Sequence, residues 1–441
     1  MEPLIINAKD ITAVVENDLC HSCGACANVC HPEVISFHET IAGHIFPKIN
    51  YEACTACELC SAVCPGIIFG KTMTDMVKKE EDPFKGRVIS TWIGQSKDRE
   101  ILSNGQSGGV SSAIILNALE NNIIDTAILA VMSNDGTIHG DVILAYNKDD
   151  ILKSQQSKYI PIPLLTALLQ VKEKQERFAI VGLSCHIHGL HNVLDKKPSL
   201  KKQLIFSIGL ICDRVMVSSG MDYLIEKVNI KKQDVKEFYF RDKKPNGYPG
   251  VVHIKTNNNS QRLCPEERIK IKDFFTPARC RICFDKMNIA CDITIGDPHG
   301  IKNVDRIQGE SLIIIRTEKG MNLLRQSNNR FLTIKKVSLK DALKGQHIEE
   351  KKRNWRSYIE IWKDLDKPIP DYYFYLKDKT ILNRKNKEKK LLKHALLLKT
   401  FKVKEDLFKL LYRVQKQEEI KKYIIFPFKI MKKIIIKRIT L

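Results

Sequence analysis

The chain has 441 residues, 43% of them hydrophobic, so it can fill the cores of two to three domains and is not wholesale disordered. Lys and Arg number 72 against 51 Asp and Glu, a net charge of +21, of which residues 384–441 alone carry +14. The rest is near ordinary in charge, so no nucleic acid is expected as a partner. No run of about 18 apolar residues and no secretory leader at Met1–Asn7 are present, which points to the cytoplasm.

Fourteen cysteines are many for that reducing compartment, where disulfides do not persist, so metal or redox chemistry is expected. Eight of them form an internal repeat. Cys20, Cys23, Cys26 and Cys30 read C-x2-C-x2-C-x3-C, and Cys54, Cys57, Cys60 and Cys64 repeat it, followed by Pro65. This is the bacterial ferredoxin spacing for [4Fe-4S] cubes, in which the fourth cysteine reaches the other cube. One cube is therefore assigned to Cys20, Cys23, Cys26 and Cys64, and the other to Cys54, Cys57, Cys60 and Cys30. Zinc, the competing metal, ordinarily takes two paired-cysteine hooks rather than this spacing. His31 stands before Pro32 in the first copy, but no ligand is missing. Residues 1–75 are expected to form this ferredoxin-like domain.

A charged linker, Lys78–Pro83, leads into an α/β body with α+β character. Val88–Gly94, Ile124–Met132, Asp141–Tyr146, Phe178–Gly182, Gln203–Ile211 and Asp292–Gly296 read as strands, and Val110–Glu120 as a helix. Ser107-Gly108-Gly109 at that helix start suits an anion, because free amides and the helix dipole favour one there; an ordinary turn is the competing reading. Cys185 and Cys212 follow strands, and Cys280 and Cys283 form C-x2-C, which makes four ligands for a third cube or a set of small buried thiols. Cys264 competes as a ligand, and Cys291 is expected in the core. His186, His188 and His191 are expected on a polar helix surface. Asp297 lies where a strand gives way to a Gly/Pro loop, a frequent ligand position in α/β folds.

These features together resemble the beta-subunit family of coenzyme F-420 hydrogenase and dehydrogenase, with a fused two-cluster ferredoxin domain. The resemblance covers about residues 15–345 and rests on Gln106–Gly109, Ser157–Tyr159, Val181–Leu190, Gly209–Cys212, Phe240–Asp242, Cys280–Asp285 and Asp292–Asp297 in that order. It implies the N-terminal part of the family domain over 85–170 and the C-terminal part over 171–345. It also implies FAD near Ser107, Gly108, Gly109, Ser157, Lys158 and Tyr159, and a third cluster on Cys185, Cys212, Cys280 and Cys283. Ser184 stands where many relatives have proline, and Cys291 where alanine is common.

Iron–sulfur cubes pass single electrons and a deazaflavin or nicotinamide carrier exchanges a hydride, so a flavin belongs between them. The expected enzyme is an iron–sulfur flavin oxidoreductase that joins a ferredoxin or another redox subunit to a hydride carrier, coenzyme F-420. Lys158 and Asp297 are its catalytic candidates, with Lys158 stabilising the reduced flavin. A ferredoxin-dependent reductase of an organic substrate, related to polysaccharide or pigment, and a non-enzymatic electron-transfer subunit are the alternatives. Residues 346–441 read as a basic helical tail, with Leu391–Lys399 and Asp406–Val414 amphipathic. That tail either docks on the body or a partner subunit, or lies at the membrane surface as a peripheral contact; Tyr423–Arg438 is too charged to span.

Overall fold

A computed structural model describes residue 6, residues 8–376 and residues 386–417. Near the N-terminus β1 (Ile35–Glu39) and β2 (Ile45–Ile49) form an antiparallel hairpin beside the cysteine loops. The body holds β3 (Ser90–Ser96), β4 (Thr126–Asn134), β5 (Ile138–Ala145), β6 (Phe178–Gly182) and β7 (Leu204–Leu210). It continues with β8 (Glu237–Asp242), β9 (Val251–Lys255), β10 (Ser260–Leu263), β11 (Ile293–Gly296), β12 (Ser311–Ile315) and β13 (Leu332–Lys336).

One sheet takes eight strands in the order β13-β3-β12-β11-β7-β6-β4-β5. Four adjacent strands, β11, β7, β6 and β4, run parallel, and the pairs on either side of them are antiparallel. Successive residues of a strand point to opposite faces. Ile128, Ile180, Leu312 and Ile314 therefore enter one core, while Leu129, Ala179, Ile313 and Ile315 enter the other. Apolar residues on both faces explain why the central strands read as near-continuous hydrophobic runs. The helices Val110–Glu120 and Glu318–Ser327 cover one face. The helix Ser184–Lys196 covers the other and joins the ferredoxin segment to the same core. A smaller antiparallel sheet, β10-β9-β8, packs with the helix Ser219–Glu226 in a third core.

The histidines depart from the sequence reading. His186 and His188 are buried, not on a polar surface, because their helix is wedged between sheet and ferredoxin segment. His188 Nε2 lies 2.8 Å from Asp285, His191 Nε2 2.8 Å from the Ala290 carbonyl and His186 Nε2 3.1 Å from the Ile162 carbonyl.

The described part of the C-terminal region packs on the body. Trp355 and Trp362 on the helix Ile348–Lys363 are fully buried, their indole N–H groups donating to the carbonyls of Ile282 and Pro368. Leu392 and Leu398 are buried, as are Leu407 and Leu411 on the helix over 404–417. Lys367 and Lys399 both pair with Asp18, at 2.5 and 2.8 Å. The Tyr423–Arg438 segment lies outside the described residues. Among the described residues no helix is long and apolar enough to cross a membrane.

Candidate functional site

The ferredoxin cysteines sit on loops around two short helical turns, Ala25–Val29 and Leu59–Ala62, which pack together. The loops aim amides at sulfur with a repeated offset of two residues. Ser22 N–H donates to Cys20 Sγ at 3.4 Å and Ala56 N–H to Cys54 Sγ at 3.5 Å. The amides of Ala25, Leu59 and Gly66 stand toward Cys23, Cys57 and Cys64 in the same way, each pulling its thiol toward thiolate. Burial works against them: it pushes Cys20 up to about 12 and Cys23 to about 11, and holds Cys26 and Cys64 well above the ordinary thiol value. Buried thiols of this kind become thiolates when cations replace their protons, so the donor set fits iron. After burial, Cys26 is raised most by Cys23, Cys20 and Cys64, the other three of its proposed cube. Cys57 is exposed, and Cys30, Cys54 and Cys60 are half-buried, so this second set faces the surface.

Cys185, Cys212, Cys280 and Cys283 come together. Cys185 starts the helix after β6, Cys212 follows β7, and Cys280 and Cys283 lie on and just after the helix Ala278–Arg281. Burial raises Cys185 well above its ordinary value, and Cys23, Cys212, Cys283 and Cys280 add to the rise. Cys185 thus neighbours its own set and Cys23 of the ferredoxin segment. Cys264 caps a surface helix and is exposed, whereas Cys291 is buried with its sulfur 3.3 Å from the Thr294 hydroxyl. Among the described residues no three or more His, Cys, Asp and Glu side chains crowd one ion position. A cube asks for a different arrangement, with each thiolate on its own iron.

Beside this set, at the carboxyl ends of the parallel strands, lies a polar cluster. Ligands bind at that edge in open α/β sheets. Asp297 follows β11 and accepts from Arg241 Nη1 at 2.8 Å; the same nitrogen donates to the Tyr159 hydroxyl at 3.1 Å. The Arg268 guanidinium lies 4.6 Å over the Tyr159 ring, and its Nε is buried without a hydrogen-bond partner. Burial alone would raise the Tyr159 phenol, but Arg241 and Arg268 outweigh it and hold it below its ordinary value. Gln106 Nε2 donates to the Arg241 carbonyl at 2.9 Å, and Ser157 N–H to Gln106 Oε1 at 3.4 Å. These cations, a phenol and an unfilled buried donor fit an anionic aromatic dinucleotide such as FAD.

The Ser107 loop is braced on the sheet. Ser107 Oγ lies 2.9 Å from Ser311 Oγ, which also accepts the Gly108 N–H at 3.0 Å. A Cβ on Gly108 would fall 2.2 Å from the Gly94 carbonyl oxygen, so only glycine lets the loop lie flat on β3. Gly109 (φ +69°) turns the chain into the helix. Lys243 Nζ holds the loop from outside, donating to the Ser107 and Gln308 carbonyls at 2.6 and 2.5 Å. The Lys158 ammonium donates to the carbonyls of Ser154, Gln155 (2.7 Å) and Gln156 (3.1 Å), capping the helix Lys148–Ser154. Burial pushes Lys158 down to about 7, while those three carbonyls favour its charged form.

Sequence reasoning passed over Arg268, Lys243 and the side chain of Arg241. Arg241 lies inside the Phe240–Asp242 stretch, but its partners, at 159, 249 and 297, come together only in the fold.

Comparison with known proteins defines the class. Residues 91–169 and 175–340 match the N-terminal and C-terminal models described as coenzyme F420 hydrogenase/dehydrogenase, beta subunit, and residues 19–66 match a 4Fe-4S dicluster domain. The chain belongs to the coenzyme F420 hydrogenase/dehydrogenase beta-subunit family, with a two-cluster ferredoxin segment at its N-terminal end. It is 25% identical to a subunit of the F(420)H(2) dehydrogenase of Methanosarcina mazei, over 80% of this chain and 96% of that one. It is 26% identical to the coenzyme F420-dependent sulfite reductase of Methanocaldococcus jannaschii, over 82% of this chain and 54% of that protein. Its fold is similar to a chain of the F420-reducing [NiFe] hydrogenase complex from Methanosarcina barkeri, with a TM-score of 0.53 and 21% identity over 67% of this chain and 99% of that one.

Proposed function

We propose that the chain is an iron–sulfur flavin oxidoreductase that joins a one-electron partner, a ferredoxin or another redox subunit, to the hydride carrier coenzyme F-420. The observation that carries this reading is the position of the Cys185, Cys212, Cys280 and Cys283 set. It neighbours Cys23 of the ferredoxin segment on one side. On the other it is one strand away from Asp297 and its arginine, because β7 and β11 are adjacent.

Cys20, Cys23, Cys26 and Cys64 hold an inner cube, and Cys30, Cys54, Cys57 and Cys60 an outer one whose exposed side meets the partner. Cys185, Cys212, Cys280 and Cys283 hold the third, with the exposed Cys264 left out. When bound, the cubes supply one-electron exchange and FAD supplies exchange of either one or two electrons. Arg241 and Arg268 give the flavin site its positive field, and Tyr159 offers a hydroxyl between them. Ser107, Gly108, Gly109 and Ser157 shape its wall. Asp297 keeps the Arg241 guanidinium oriented. Lys158, fixed on three carbonyls, favours negative charge on the flavin.

Anaerobically purified protein should reduce a viologen dye with reduced F-420 as donor. Lys158→Ala should slow single-turnover flavin reduction by about tenfold to a hundredfold. Dye reduction that fails with reduced F-420 but proceeds in the reverse sense from reduced viologen to an organic acceptor would replace the hydride carrier with another substrate. No exchange with any donor would contradict the enzyme reading.

A further inference from the structure

Arg279 immediately precedes Cys280 on the short helix Ala278–Arg281, and its side chain is only 2% exposed. It runs from the third thiol set to the inner ferredoxin set: Nη2 donates to the carbonyl of Pro65, the residue after Cys64, at 3.4 Å. The same nitrogen meets the Tyr372 hydroxyl, and the guanidinium carbon lies 5.7 Å over the Tyr372 ring. None of these partners is a carboxylate. Nε and Nη1 are buried without a hydrogen-bond partner. A buried cation with two unfilled donor atoms is costly unless an anion lies beside it. Its field reaches thiols of both sets, Cys20 and Cys64 on one side and Cys280 and Cys283 on the other, as well as the His21 imidazole and the Tyr372 phenol.

We propose that Arg279 is a fixed positive bridge between the cube on Cys20, Cys23, Cys26 and Cys64 and the cube on Cys185, Cys212, Cys280 and Cys283. Its free N–H groups serve ligand sulfur, and its charge raises both reduction potentials together. This rests on the proposed function's assignment of a third cube. Cluster potentials follow net charge and hydrogen bonds to sulfur. Each reduction adds one electron and one negative charge to a cube, and a neighbouring fixed cation favours that state. Arginine stays protonated throughout the working pH range, so no proton need enter or leave this residue as the electron passes. One guanidinium serving both cubes shifts their potentials in the same direction, so it eases reduction of both without itself opening a gap between them.

The test uses the full-length protein, purified anaerobically, as wild type, Arg279→Met and Arg279→Lys. Each is titrated with dithionite against redox mediators and read by electron paramagnetic resonance, with iron and sulfide counted on the same samples. About twelve irons are expected in the wild type. Arg279→Met should move two of three midpoint potentials negative by at least a tenfold change in reduction equilibrium, about 59 mV for one electron, and leave the outer cube unmoved. Arg279→Lys should recover part of the shift. If Arg279→Met loses iron, Arg279→Lys must still shift both potentials by a smaller amount. Potentials unmoved at full iron content, or a shift in one cube alone, would overturn the bridge while leaving the third cube in place. About eight irons in the wild type would remove the third cube and the bridge with it.

Discussion

His44, just before β2, shows how one side chain ties stability to pH. It is buried, stacks on Phe46 with ring centroids 5.0 Å apart, and its Nδ1 has no hydrogen-bond partner. Burial, reinforced by the charge of Lys399, pushes its pKa down from 6.5 to about 4. The unfolded chain therefore binds this proton before the folded chain does. The stability it contributes is complete above about pH 6.5 and is lost as pH falls through about 4. Between pH 7 and pH 5 wild type should lose about 1–2 kcal/mol more than His44→Phe, which keeps the ring and drops the proton. Anaerobic thermal unfolding at the two pH values measures it, and equal shifts in melting temperature would contradict the assignment. Single residues were the least legible part of this sequence. The eight ferredoxin cysteines stood out because ligation of a cube demands fixed local spacing. Arg241, Arg268 and Arg279 did not, because their roles depend on neighbours far away in the chain.

Among elements, the helix Ser184–Lys196 does the joining. One side packs on β6 and β7 and the other on the ferredoxin segment, whose approach Gly189 allows. A Cβ at Gly189 would meet Leu165 Cδ1 at 3.0 Å, Ala25 Cβ at 3.1 Å and Cys23 Sγ at 3.4 Å. Gly189→Val should cost about 1–3 kcal/mol by overpacking, despite the gain in helix propensity over glycine. It should also slow electron passage from the ferredoxin segment to the body, read by stopped-flow bleaching of the clusters. A variant with wild-type melting temperature and unchanged bleaching would contradict the close-approach role. The central strands were legible as apolar runs, and Phe178–Gly182 has the bounds its sequence suggests. The short strands of the hairpin and of the three-stranded sheet were not, because four to six residues are too few for periodicity to separate strand from loop. The three histidines misled for a related reason: periodicity reports one apolar face, and this helix is covered on two.

Across the whole molecule, charge and chemistry separate. The basic C-terminal residues raise the net charge, yet the described ones use apolar side chains and paired lysines to hold onto the body. The cysteines follow a different line: an exposed loop at Cys57, a deeper set with Cys23, Cys26 and Cys64 buried, then Cys185 and its partners at the carboxyl edge of the sheet. Family membership was legible because several short motifs occur in a fixed order, whereas the body–ferredoxin junction emerged only from tertiary packing. In the proposed function that line ends at a flavin beside a third cube, where single electrons are joined to a hydride. The most direct measurement is quantitative analysis of iron, acid-labile sulfide, zinc and released flavin in oxygen-free protein. About twelve irons, twelve sulfides and one FAD per chain are predicted. Eight irons without flavin, or zinc in place of iron, would contradict it.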